Sequence, residues 1–559
     1  MKTTTLLSFF SLALVASAAD NAAFPPKTAL DAIRADDLLK HIKVLAADEY
    51  EGRAPGTKGE ELTVKYISEQ FKALGLKPGN PNGTWTQEVP MAGIKTTPTL
   101  RFDVNGNAMD LKFPTDYVAS SARLQEQIGV DNSEIVFVGY GIVAPEFGWD
   151  DYKGVDVKGK TILMLINDPP IVAGEDGQLD PKMFRGRAMT YYGRWTYKYE
   201  IAAEKGAAAA IIIHETEPAA YPYSVVESSW SKENFEIDAP DKNMGQVEVR
   251  SWVTLETAKN LLAASGHDFD ALKQAALRKD FRPVPLGATA TFSLQQNIHT
   301  FKSRNVVGKI EGSDPKLKDE WLLYTAHWDH LGRNPDVQGD NIYNGAIDNA
   351  SGVAAILELA DAHMKLPKPT RRSALFIATT AEESGLLGAK YYAENPLYPL
   401  EKTVADINID GTQVWGKSRD IEDISDGNSQ LDDLLGDAAK RNGRVLVPNS
   451  KPERGGFYRA DNFEFSKFGV PSLYTGRGKD FPDKPAGWGQ QKSEEYVAKI
   501  YHQPSDQVDP AWDLSGGAAD VQLLFEVGYQ VANGDKWPEW TPGNEFKARR
   551  DAMLKKAGR

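Results

Sequence analysis

From residue 304 onward, short apolar runs alternate with longer amphipathic stretches, and no other feature narrows the fold of this chain as far. Leu322-Leu323-Tyr324-Thr325, Ala374-Leu375-Phe376-Ile377 and Val404 to Ile409 read as buried strands. Gly352 to His363, Ser384 to Ala393 and Ala518 to Val531 read as the helices between and after them. Parallel strands cannot be joined by a tight turn and need a crossover, usually a helix. The alternation therefore predicts an α/β domain with a largely parallel central sheet. Ligands of such sheets bind at the carboxyl ends of the strands.

The preceding chain is less regular. Residues 28–78 predict two amphipathic helices, the second opened by a capping box, Thr57-x-x-Glu60, and stopped by Gly75 and Pro78. A β-rich stretch follows. Between about 130 and 290, Ile135 to Val138, Thr161 to Ile166 and Ala210 to Ile213 predict a separate β-rich domain inserted into the main one. A helix is expected there from about Thr190 to Lys205. Its Tyr191, Trp195 and Tyr199 recur every four residues, a packing face against the other domain or a lip over the site.

With 64 Lys and Arg against 78 Asp and Glu, the net charge is −14, which argues against a general nucleic-acid binder. Cysteine is absent, so disulfides, thiolate metal sites and Cys nucleophiles are excluded. Any metal must be held by Asp, Glu and the eight His. Lys2, the apolar run Leu6 to Val15 and Ala16-Ser17-Ala18 predict a signal peptide over 1–18. The expected mature protein is periplasmic or secreted, and no later run approaches the roughly 20 apolar residues of a membrane anchor. The expected division is then 19–129 and 291–540 for the main domain, 130–290 for the insert and 541–559 for a basic, solvated helical tail.

His327-Trp328-Asp329 stands where a strand runs out, and a carboxylate beside a His can fix its ring for metal binding. Asp348 opens a helix, Glu382-Glu383 lies between a strand and a helix, and Asp410 ends another strand. His502 follows in Tyr501-His502-Gln503-Pro504-Ser505-Asp506. Each is unremarkable alone. In the order His, Asp, Glu-Glu, Asp, His, at successive strand ends, they supply two metal sites sharing one carboxylate, with one Glu left over.

Ala326-His327-Trp328-Asp329, Gly345 to Gly352, Ala381-Glu382-Glu383-Ser384-Gly385, Asn408-Ile409-Asp410 and Tyr501-His502 together resemble the zinc-dependent exopeptidases of the bacterial leucyl aminopeptidase type, peptidase clan MH. Around Ala202 to Ala209 the insert resembles a protease-associated (PA) domain. The resemblance implies a three-layer αβα sandwich with a mostly parallel mixed sheet, plus an inserted β-rich PA-like domain. It implies two zinc ions, one on His327 and Asp410, the other on Glu383 and His502, with Asp348 bridging. Glu382 would be the general acid/base, Asp329 would orient His327, and the Asp348–Asn349 peptide would be cis. The substrates implied are peptide or protein N-termini. A carboxypeptidase of the same family and a one-zinc glutaminyl-peptide cyclotransferase share the pattern. The chain departs from the family at Gly411, often Met, and at Ala460-Asp461-Asn462, often Ser-Asp-His.

Overall fold

The computed structural model describes residues 24–174 and 177–558, so the expected signal segment 1–18 lies outside the described residues. At its centre Trp321–His327 runs parallel to Ser373–Thr379 on one side and to Thr403–Asn408 on the other. Thr403–Asn408 also pairs in parallel with Ser472–Gly476. Strand side chains alternate between faces. Accordingly Leu322, Tyr324 and Ala326 enter a core with the helices Lys58–Leu74, Ser351–Met364 and Ser515–Asn533. Trp321 and Leu323 enter a second core beneath Leu387–Glu394. The fold is the expected α/β layering, helices on both faces of a mostly parallel sheet.

Two local departures position the site. The helix expected from Ser384 begins at Leu387, because Leu386 is left-handed at φ 63. Glu382 to Leu386 instead form a turn in which the Gly385 and Leu386 amides both donate to the Glu382 carbonyl at 2.9 Å. Thr57 caps Lys58–Leu74 by accepting from Gly59, but Glu60 reaches back one residue further than a capping box, to the Gly56 amide, and also accepts from Ser303 and Arg304.

The sheet does not stop at the main core. Thr86–Val104 and Val284–Ile310 pair antiparallel from Val104 opposite Ala288 to Thr86 opposite Val306. This ribbon leads into another hydrophobic core spanning Leu100 to Leu294. Within it Gln127–Phe137, Thr161–Leu165, Ala209–His214 and Val249–Thr254 pair in parallel succession. The helix expected from Thr190 starts at Trp195, after a short 3₁₀ turn holding Tyr191, whose ring packs on Phe463 and Phe546. The basic tail is not wholly solvated. Lys547–Lys556 is helical, and its buried Arg550 donates to the Thr403 carbonyl at 2.8 Å. Among the described residues no helix is long and apolar enough to cross a membrane.

Candidate metal centre

All seven residues singled out in the sequence meet at one end of the main sheet. His327 closes Trp321–His327, Glu382 and Glu383 occupy the turn after Ser373–Thr379, and Asp410 follows Thr403–Asn408. Asp348 lies just before the helix Ser351–Met364, with a cis peptide to Asn349. His502 comes in from the loop after Trp488–Lys499. Asp348 faces both histidines: Oδ1 is 3.2 Å from His327 Nε2 and Oδ2 is 3.2 Å from His502 Nε2. His327 Nε2 is also 3.4 Å from Asp410 Oδ1, and His502 Nε2 is 3.0 Å from Glu383 Oε2.

These spacings test the fit to zinc. Tetrahedral ligands about 2.1 Å from a zinc ion stand roughly 3.4 Å apart. The pairs His327–Asp348, His327–Asp410 and His502–Asp348 have that spacing, in two groups that share Asp348. His330 is different. Its Nδ1 lies 2.6 Å from Glu383 Oε1, too close for two ligands of one ion and normal for a hydrogen bond, so His330 holds Glu383 from behind. Four carboxylates converge here with no Lys or Arg ion pair among the described residues, and His330 Nε2 is buried without a hydrogen-bond partner. The donor set is that of a site for hard or borderline cations.

The electrostatics follow from this crowding. Burial disfavours charge on His327, but Glu382, Asp329, Asp348 and Asp410 outweigh it and hold the imidazole well above its usual range. Burial acts against ionised Asp348 too, yet His327 and His502 keep its pKa well below normal. Glu383 is lowered to about 2 because His502 and His330 outweigh burial and the Asp348 charge. Glu382 goes the other way: burial, with Asp410 and Glu383 nearby, raises it well above the carboxylate range despite His327.

The loops carrying these groups are tied together behind the site. Asp329, fully buried, accepts the Glu382 amide at 3.0 Å and the Glu383 amide at 3.4 Å, and stands 3.7 Å from His327 Nδ1. Its carboxylate therefore aligns the glutamate turn, whereas the His327 imidazole is held through Nδ1 by the Asp329 main-chain carbonyl at 3.1 Å. Asp506 accepts the Ile347 and Asp348 amides, both at 3.0 Å. Arg53 is buried and donates to the carbonyls of Leu45, Trp328, Asn344 and Gly345 at 2.6 to 2.8 Å. The sequence offered no signal for Arg53, and Asp506 was visible only as the end of the His502 motif. Of the other histidines, His41, His214 and His363 are buried packing residues and His299 is exposed beside Glu233.

The centre opens into a cavity of about 610 Å³. One part of its wall is Asp348, Glu382, Glu383 and Asp410, and another is Arg194, Trp195 and Tyr199 from the inserted block. The aromatic face read from the sequence thus divides between packing, at Tyr191, and lining the cleft, at Trp195 and Tyr199.

Residues 305–525 match the profile of Peptidase family M28. Aminopeptidase NAALADL1 of Mus musculus is 30% identical over 174 residues, 28% of this chain and 22% of that protein. A probable zinc metalloprotease of Pyrenophora teres f. teres (strain 0-1) is 43% identical over 108 residues, 19% of this chain and 22% of that protein. The chain thus spans about a fifth of the length of these curated relatives. Among solved structures, the aminopeptidase from Aneurinibacillus sp. strain AM-1 aligns over 91% of this chain and 97% of that chain, with 20% identity and a TM-score of 0.47.

Proposed function

From the match of residues 305–525 to the profile of peptidase family M28 we propose an exported exopeptidase that binds two zinc ions and removes N-terminal residues from peptides. His327 and Asp410 would hold one ion and Glu383 and His502 the other, with one oxygen of Asp348 directed to each. Bound zinc supplies a lowered pKa for water and polarisation of the scissile carbonyl. The remaining work falls to the chain. Among the described residues no hydrogen bond reaches the Glu382 carboxylate, so it is free to take a proton from the attacking water and pass it to the leaving amine. Asp329 and His330 hold the glutamate turn and the Glu383 side chain in place. The PA-like block shapes access to the cleft and supplies no ligand, since all five lie between His327 and His502.

The observation that carries this reading is Asp348, whose two oxygens each stand 3.2 Å from a different histidine. Metal analysis with a peptide panel tests it. About two zinc ions per chain are expected, with activity lost to a chelator and restored by zinc. Peptides with free N-termini should be trimmed stepwise and N-acetylated ones resist. One ion at saturating zinc would indicate the cyclotransferase, and release of C-terminal residues from blocked peptides the carboxypeptidase.

A further inference from the structure

The cavity leading to the metal centre also carries cations, and two of them are neutralised. Arg250 Nη1 sits 2.8 Å from Glu236, and Lys467 Nζ sits 2.7 Å from Glu200 and 3.4 Å from Glu464. Arg194, Lys390, Arg454, Arg459 and Arg477 line the same cavity and form no ion pair among the described residues, and of these Arg459 is the charged neighbour of Arg194. Arg194 comes from the inserted block, just before the helix Trp195–Glu204, and Arg459 from the main domain. The Nε of Arg194 is shut off from solvent with no hydrogen-bond acceptor. The charged or titratable groups around it are Arg459 and the hydroxyls of Tyr221 and Tyr458, with no carboxylate among them; burial first, then Arg459, push its pKa down to about 9. Arg459 is exposed at the rim and uses its Nε on the Arg454 carbonyl, 3.1 Å away.

Arg194 is half-buried, and a cation drawn out of water without a counter-charge is costly to keep. Shortage of acids does not explain it in a chain of net charge −14. A guanidinium presents a planar fork that matches a carboxylate with two parallel hydrogen bonds. A volume of about 610 Å³ lies in the usual range for small-ligand pockets, enough for a short peptide or the end of a longer one. We propose that Arg194 and Arg459 form a carboxylate-binding subsite, spanning the boundary between the inserted block and the main domain, that anchors a peptide whose other end lies at the metal centre. The carboxylate is either the free C-terminus of a short peptide or an acidic side chain a residue or more beyond the scissile bond. This deepens the exopeptidase reading and rests on it for the identity of the ligand as a peptide.

Calorimetry on zinc-loaded Glu382→Gln protein, in which turnover is suppressed, separates the possibilities. The probes are trialanine, its C-terminal amide, and the amide of Ala-Glu-Ala. Trialanine should bind about tenfold more tightly than its amide if the C-terminus is the group recognised, and Ala-Glu-Ala amide should regain that affinity if the side chain is. Arg459→Gln, at an exposed position, and Arg194→Gln should each abolish the difference while leaving binding of the plain amide unchanged. Arg194→Lys, which keeps the charge and loses the fork, should retain part of it. Equal binding of all three probes overturns the subsite. So does a preference for carboxylates that survives both Gln substitutions, since the metal ions or the other cations of the cavity would then be its source. Turnover of the same peptides by the unsubstituted protein is scored separately. Absence of hydrolysis with the carboxylate preference intact rejects the exopeptidase reading and keeps the subsite. Hydrolysis without that preference does the reverse.

Discussion

Glu382 and Glu383 are consecutive, and Asp329 receives the amides of both, yet their carboxylates have opposite electrostatic fates. Glu383 is held ionised by His330 and His502, whereas Glu382 has no hydrogen-bond donor among the described residues and a raised pKa. Glu382→Gln is therefore expected to lower turnover by about 10²–10⁴-fold with bound zinc unchanged. Glu383→Gln should lower zinc affinity instead, and measuring turnover and metal content of both side by side checks the division. Near-normal turnover in Glu382→Gln would remove it from the chemistry. Asp506 acts through Asp348, whose amide it accepts together with that of Ile347. Asp506→Asn replaces one acceptor with a donor facing an N–H, and zinc affinity should fall by about 10–100-fold. Turnover should recover when zinc is supplied in excess; metal affinity equal to the parent's would show that the loop holds without it.

Between elements, the tightest adjustment is behind the site, where Trp321–His327 meets the helices Ser351–Met364 and Ser515–Asn533. Tyr324 Oη bonds to His363 Nε2 at 3.1 Å, and a Cβ at Gly528 would lie 1.8 Å from that hydroxyl, so the helix needs glycine there. Full burial keeps His363 neutral, its pKa lowered to about 3. On unfolding the ring takes up a proton below its ordinary value of 6.5, so between those limits the unfolded chain binds more protons than the folded one. Stability is lost as pH falls through that window, by about 2 kcal/mol from this residue at pH 5. His363→Gln keeps a polar partner for Tyr324 and does not titrate. Its denaturant-unfolding free energy should differ between pH 8 and pH 5 by about 2 kcal/mol less than the parent's; an unchanged difference would refute the assignment. The same elements show what the sequence can disclose. Leu322, Tyr324 and Ala326 alternate with Trp321 and Leu323, and that period is legible because both faces are covered. The residues of the candidate metal centre were legible because each stands next to a strand end or a helix start that the pattern locates. Arg53 was not, since all four of its acceptors are main-chain carbonyls, and a carbonyl leaves no trace in the identity of the residue that offers it. The turn from Glu382 to Leu386 was hidden for a related reason: a left-handed Leu386 is imposed by packing and is not a preference of leucine.

On the scale of the whole molecule, the inserted block and the main domain are joined by more than surface contacts. Arg185 donates to Asn428 and to the Asp426 carbonyl, Met189 N donates to the Pro452 carbonyl at 3.1 Å, and Lys467 pairs with Glu200. Above all they share the ribbon of Thr86–Val104 against Val284–Ile310. The sequence did not reveal it, because the strands leave one core, cross a partly exposed stretch and enter another, and no single alternation survives the passage. The ribbon makes the distance between the two walls of the cleft a matter of counting residues. Each strand residue advances about 3.3 Å, and a change of one turns every following side chain to the other face, whereas a change of two restores the facing. Two residues added to each strand in the stretch between the cores should therefore carry the Arg194 wall about 7 Å along the ribbon with both cores intact. Zinc content should be preserved and discrimination between peptide acids and amides lost. Retained discrimination would mean that the spacing is set elsewhere. On this view the protein gauges its substrates with a ruler whose divisions are peptide units, cut to the same pitch as the extended chains laid against it.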